Sequence, residues 1–203
     1  MTFKYLRKKE YISMPWKNGL GMTTEIAVEP HGSERDDSPF LWQISIAGVQ
    51  ENGPFSHFLN IDRHLMLLEG NGITLDGGEH GIGMLFEPLQ VFNFAGDIDI
   101  VGRLSSGPIT DLNLMLDRRF ARGDLSGFEV AGTERITLSY QHHFIHVIDG
   151  FEGVMVDIDG EYIELMGGDC LRIDEGNRSA TITQMNPKST PTRIVFISIN
   201  VIV

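Results

Sequence analysis

The sequence predicts an all-β chain built from two small β-barrels, and three observations carry this. The same run of signals occurs twice, offset by 80 residues: Leu68-Glu69-Gly70 answers to Ile148-Asp149-Gly150, Pro88 to Gly168, Ala95-Gly96 to Glu175-Gly176, and Leu112 to Met115 answers to Thr192 to Val195. Apolar residues alternate at period two in several stretches, and no long amphipathic helix is evident. Turn signals are closely spaced, and glycine is abundant at 23 residues. Two long copies argue against a solenoid, which stacks three or more short units.

The elements follow in order. Met1 to Glu10 is basic, has no apolar signal core behind it, and reads as an N-terminal strand that the two halves share. Trp42, Ile44 and Ile46 alternate with Gln43, Ser45 and Ala47 as a half-buried strand would. Leu65 to Leu68 is an apolar strand, and Asp97 to Leu104 alternates again. Leu112, Leu114 and Leu116 share one face of a strand, while Asp111, Asn113, Met115 and Asp117 share the other. Turns are expected at Glu51 to Pro54, Asn71-Gly72, Asp76 to Gly78, Asp159-Gly160 and Gly167 to Asp169. His31 to Ser38 is a polar loop. Arg118 to Glu129 reads as a short helical or irregular link, and Ile194 to Val203 as a buried strand. The expected organisation is a first barrel over residues 1–117, a link over 118–129 and a second barrel over 130–203.

Composition narrows the function. Apolar residues are 41% and charged residues 22%, enough to bury a core, and the formal net charge is −12. That balance disfavours nucleic acid and anionic membrane surfaces, which need clustered Lys and Arg. It leaves room for a small anion held by one or two local cations. Cys170 is the only cysteine, so no intrachain disulfide forms, in keeping with a cytoplasmic location. No segment approaches the roughly 20 apolar residues of a membrane helix.

Four motifs could carry chemistry. Pro15 to Glu25 packs Trp16, Lys17, Asn18, Gly19, Gly21, Thr23 and Glu25 into eleven residues. It reads either as a Gly-rich turn with Trp16 in the core, or as an anion-binding nest with a stacking wall. Gly53 to Phe58 sets polar groups between the aromatic anchors Phe55 and Phe58, and Asp62-Arg63 follows. Arg63 is either half of a surface turn or a two-point grip for a carboxylate. Asp111 and Asn113 form a hydrogen-bonding pair if their strand face is interior. On a strand, His142 and His146 share a face with Phe144, and His143 points away. A metal there would need a third ligand from a neighbouring strand, and the alternative is packing histidines. Cys170, beside Asp169, lacks the electropositive setting of a nucleophile.

Taken together, Trp16 to Gly19, Thr23, Glu25-Ile26, Trp42 with Ser45 to Ala47, Gly53 to Ser56 with Phe58, Asp62-Arg63, Leu67 to Gly70, and Asp111, Asn113 and Met115 before Arg118-Arg119 resemble the HutD/Ves family. The resemblance covers nearly the whole chain, including Val147 to Gly150. The chain departs from the family pattern at Leu20 and Asn60, which stand where glycines are usual, at Gln43 in place of an Arg, and at Leu112 in place of a Phe. The resemblance implies a bicupin, two cupin-type barrels in one chain. It implies no metal or other cofactor, since the first half lacks a His-x-His set. It also implies a link to bacterial histidine utilisation, with a bound pathway metabolite such as urocanate or N-formylglutamate, and a stress-related role in the Ves branch.

The expected function is therefore non-catalytic binding of a small carboxylated metabolite in the first barrel. Arg63 is expected to hold the carboxylate, Asn18 and the backbone from Gly19 to Gly21 to donate hydrogen bonds, and Trp16 to stack. Glu25 and Asp111 are expected to accept from an imidazole N–H, with Thr23, Ser45 and Asn113 completing the site. The alternatives are a metal-dependent cupin enzyme using His142 and His146, and a scaffold acting through homodimer contacts, in which the apolar C-terminal strand pairs across the interface.

Overall fold

The computed structural model describes residues 2–16, 19, 21–30, 40–174 and 176–202. The chain divides into two compact units. The first holds Tyr11–Arg122 with Val201–Val203, and the second holds Gly123–Asn200 with Met1–Glu10.

In the first unit a six-stranded antiparallel sheet runs in the order β2 (Ile12–Pro15), β3 (Gly21–Glu29), β4 (Trp42–Val49), β11 (Ile109–Asp117), β6 (Ile61–Glu69), β9 (Val91–Ala95). A four-stranded sheet runs β5 (Gly53–Pro54), β10 (Val101–Leu104), β7 (Ile73–Asp76), β8 (Ile82–Leu85). Leu65, Leu67, Val49 and Ile109 from the larger sheet meet Ile73, Leu75 and Leu85 from the smaller in one apolar core.

The second unit repeats this plan. Its five-stranded sheet runs β1 (Thr2–Leu6), β17 (Cys170–Asp174), β14 (His142–Val147), β19 (Thr192–Val201), β12 (Ala121–Val130). Its four-stranded sheet runs β13 (Thr133–Leu138), β18 (Arg178–Gln184), β15 (Val154–Ile158), β16 (Glu161–Leu165). Ile145, Leu171 and Ile194 pack against Val156, Leu165 and Ile182. The order β11-β6-β9 is matched by β19-β14-β17, and β10-β7-β8 by β18-β15-β16. The duplication read from the sequence is thus present in the strand pairing. The sheets are separate and open, however, where closed barrels were expected.

The acid-Gly pairs terminate equivalent strands. Gly70 after β6 and Gly150 after Val147 have φ of +104° and +84°, a backbone region that side chains disfavour. Asn60 has φ +62°, which Asn tolerates better than most residues.

Three expectations need correction. The N-terminal stretch belongs to the second unit: β1 pairs with β17 in register Thr2↔Asp174 to Leu6↔Cys170, and Phe3 and Tyr5 lie against its core. The stretch 118–129 is mostly strand β12, whose alternation is broken in sequence by Gly123, Asp124 and Gly127. The C-terminal strand β19 has neighbours on both sides, β14 and β12, so its edges are already paired and offer nothing to a second copy. The expected loop at His31 to Ser38 lies outside the described residues. No described helix is long and apolar enough to cross a membrane.

Candidate functional site

β11 is buried along almost its whole length, which is why alternation alone could not orient it. Register resolves the faces. Asp111 lies opposite Ala47 and Leu67, and Asn113 lies opposite Ser45 and Leu65. Leu65 and Leu67 belong to the core, so Asp111 and Asn113 point into the interior of the first unit. Glu25 is paired with Ser45 in the next strand, and Met115 with Arg63. Thr23 pairs with Ala47, in the row of Asp111. Thr23, Glu25, Ser45, Arg63, Asp111 and Asn113 therefore share one interior sheet face.

Arg63 is only 6% exposed, Asp111 0% and Asn113 4%. Arg63 Nη2 donates to Asn113 Oδ1 at 2.7 Å, and Asn113 Nδ2 donates to Asp111 Oδ1 at 2.5 Å. Arg63 Nε and Asp111 Oδ2 have no hydrogen-bond partner among the described residues. The guanidinium sits among three rings, 5.2 Å from Phe55, 5.7 Å from Phe58 and 5.1 Å from Phe94. Those ring faces offset part of the cost of burying the charge, but they do not replace hydrogen-bond acceptors. Burial pushes the Arg63 pKa down to about 10, against the nearby Asp111 charge. Burial also pushes the Asp111 carboxyl up to about 7, with Arg63 and the Asn113 hydrogen bond opposing it.

Trp16 closes one side. Its indole Nε1 donates to Thr23 Oγ1 at 2.7 Å, and its ring packs against the core. Gly21 is required beneath it: a Cβ there would stand 2.5 Å from Gly48 O and 3.0 Å from the indole. The two expectations for this motif merge, since Trp16 is both core and wall. Gly19 is a correction, because its N–H already donates to Trp16 O at 3.0 Å within the turn and is not free as an anion donor. Asn18 lies outside the described residues. A small, solvent-open surface cleft is lined by Trp16, Val49, Glu51, Gly53, Pro54, Phe55 and Gly102. Phe55 lines this cleft and also packs against the Arg63 guanidinium. Phe94 was not singled out from the sequence; its signal was the alternation of Phe92 and Phe94 with Val91, Asn93 and Ala95.

The histidine motif resolves differently. His142 Nδ1 lies 2.6 Å from Asp174 Oδ1, and Arg172 Nε donates to that same oxygen at 2.8 Å. His143 Nε2 accepts from Tyr140 N at 2.9 Å, and Nδ1 lies 2.9 Å from Ser198 Oγ. His146 is buried, and neither ring nitrogen has a partner of ordinary hydrogen-bond geometry. No group of three His, Cys, Asp or Glu among the described residues is arranged to hold a metal. Burial holds the Cys170 thiol far above its usual range, as an inert core residue.

The fold and this interior define an all-β protein with cupin-like structural neighbours. They include oxalate decarboxylase from Lactobacillus farciminis (TM-score 0.67, 7% identity, 98% of this chain and 86% of that one). The HutD family model matches residues 8–190, and the chain belongs to the HutD family. It is 34% identical over 174 residues to a 21.2 kDa Pseudomonas putida protein named for the hutC 3′ region, covering 85% of this chain and 86% of that protein. It is 39% identical over 104 residues to protein Ves of Citrobacter koseri, about half of each chain (51% and 52%). Among solved structures it resembles HutD from Pseudomonas fluorescens, determined in a formate condition, at TM-score 0.77 and 30% identity over 100% of both chains. A conserved Pseudomonas aeruginosa protein of unknown function gives TM-score 0.85 and 28% identity, again over 100% of both.

Proposed function

We propose that this chain is a non-catalytic cytoplasmic protein that binds a small carboxylated metabolite and modulates histidine utilisation, with two cupin-type halves of which the first carries the site. The carrying observation is Arg63: a guanidinium buried among three phenylalanines, with one hydrogen bond from Nη2 and an unpartnered Nε. A carboxylate accepts two parallel N–H bonds from such a fork. Trp16 and Phe55, which border both the cleft and the interior, would flank a planar or apolar body. Asn113, Ser45, Glu25 and Thr23 line the same face, Gly21 accepts from the Trp16 N–H, and Asn18, two positions after Trp16 in sequence, is a further candidate donor. Family membership and the relative from the hutC 3′ region support the tie to histidine utilisation. Urocanate and N-formylglutamate are the candidate ligands.

The test is thermal unfolding and calorimetric titration with urocanate, on the wild type and on Arg63→Gln, which keeps a donor for Asn113 but removes the charge. A ligand that binds only the folded state stabilises it by about 2.7 kcal/mol at a hundredfold excess over Kd. A saturable rise in the wild type that disappears in a folded Arg63→Gln supports the reading. Equal affinity in the two proteins removes Arg63 from the site.

A further inference from the structure

Among the described residues, hydrogen bonds join Arg63 and Asp111 only through Asn113, and each end of that chain keeps an unpartnered atom. Arg63 Nε and Asp111 Oδ2 are the unpartnered atoms, and both residues are more than nine-tenths buried. One end is a cationic donor, and the other is a carboxyl oxygen that can hold a proton.

We propose that this pair binds a monocarboxylate together with one proton, the guanidinium of Arg63 taking one ligand oxygen and protonated Asp111 donating to the other. The proposal rests on the carboxylate reading of the preceding subsection. Its physical ground is charge balance. In a dry interior, an ionised ligand beside an ionised Asp111 places two anions against one cation, and like carboxylates sharing a site retain a proton between them. Asp111 already stands near the point where a proton is readily gained. A ligand anion on Arg63 screens the cation that holds Asp111 down, so binding draws the proton in. The ledger is simple: one proton leaves solvent, one O–H bond forms on Asp111, and no other bond changes.

The groups packed around Asp111 leave few rivals for this role. β6 contributes Arg63 together with Leu65 and Leu67, and β4 contributes Ser45 and Ala47. β3 contributes Thr23 and Glu25, and β9 the rings Phe92 and Phe94. The facing sheet contributes apolar Ile73, Leu75 and Leu85. Glu25 is thus the other acid on this face, and Arg63 is its one cation among the described residues. A dicarboxylate would bring a second negative charge to that single cation. The class of ligand is therefore the monocarboxylate, which of the two candidates favours urocanate over the dicarboxylate N-formylglutamate.

The experiment is titration calorimetry of the full chain with formate at about pH 8, in buffers of contrasting ionisation enthalpy, repeated across pH. The expected result is uptake approaching one proton per formate, with affinity falling about tenfold per pH unit above the range in which Asp111 titrates. Asp111→Asn, which keeps the shape and supplies a fixed donor, should bind formate with neither proton uptake nor pH dependence. Formate binding without proton uptake overturns this proposal and leaves the carboxylate reading intact, as does pH dependence that persists in Asp111→Asn. No formate binding by the wild type, even at high concentration, overturns both.

Discussion

Arg63 and His143 hold the same register position in the two units. Arg63 lies between Met115 on β11 and Phe94 on β9, and His143 lies between Ser198 on β19 and Ile173 on β17. Their surroundings have diverged. Asn113 and Asp111, opposite Leu65 and Leu67, correspond to Phe196 and Ile194, opposite Ile145 and Val147. In the second unit the histidine has both nitrogens engaged and stacks on Phe196, with centroids 5.4 Å apart and planes 4° from parallel. One interior is polar and incompletely paired, and the other is apolar and closed. Buried polar groups without partners are costly, so the asymmetry supports the proposal that the first unit carries the site.

Asn113 is the joint of the polar interior, since it accepts from Arg63 and donates to Asp111. Asn113→Ala should cost about 2–4 kcal/mol, because it leaves a buried cation and a buried acid each short of a partner. Replacing all three residues with apolar ones of similar volume should recover most of that loss and abolish carboxylate binding. Urea unfolding of the two variants measures this. A single Asn113→Ala variant as stable as the wild type would show that the network does not hold the interior together.

Acid should destabilise the second unit through His143 and His146. Burial lowers both folded pKa values to about 4 from 6.5, while the unfolded chain titrates normally. Between those limits the unfolded state binds more protons, so the stabilisation these neutral rings allow is intact above about pH 6.5 and is lost as pH falls towards about 4. Burial is the main cause of the His146 shift, so His146→Leu should flatten the slope of stability against pH in that window. A slope unchanged from the wild type would assign the acid sensitivity to other groups.

Much of this fold could be read from residue order, and the failures have physical causes. Glu69-Gly70 and Asp149-Gly150 marked equivalent strand ends because chain reversal there uses positive φ, a local property. The last strand was aligned with an offset of 80, yet Leu112 and Val195 are the true equivalents, lying opposite Met66 and His146. The 83-residue separation reflects extra chain before β19, which no local signal reports. The partner of the N-terminal strand was equally hidden, because pairing across more than 160 residues leaves no trace in either segment. In the site, Arg63 read equally well as a surface turn, since Asp62-Arg63 looks like an exposed pair. In fact Asp62 turns to Arg118, 2.7 Å away, and Arg63 turns inward.

Gly21 sets the position of Trp16, so Gly21→Ala should test the site without touching a polar group. The new methyl would meet backbone at Gly48 O, 2.5 Å away, and backbone cannot step aside as a flexible side chain can. Overpacking of this kind costs about 1–3 kcal/mol. The indole should tilt, visible as a shift in Trp fluorescence, and urocanate should bind more weakly. A variant with wild-type fluorescence and affinity would take Trp16 out of the binding wall.

The N-terminal strand should be a stability element of the second unit. β1 covers the edge of β17 over five residue pairs, Phe3 and Tyr5 pack on the core, and Tyr5 Oη donates to Asp169 Oδ2 at 2.6 Å. Asp169 also accepts from the Lys8 amide at 3.0 Å, which ties the end of the strand to the turn before β17. Tyr5→Phe removes one hydrogen bond and should cost about 1 kcal/mol. Removing residues 1–7 exposes the β17 edge and part of the core, and should cost several times as much. Hydrogen exchange locates the effect: in the truncated chain, amides of Cys170–Asp174 should lose protection, while those of Ile61–Glu69 and Ile109–Asp117 keep theirs. Equal loss of protection in both units would mean that β1 supports the whole chain and not the second unit in particular.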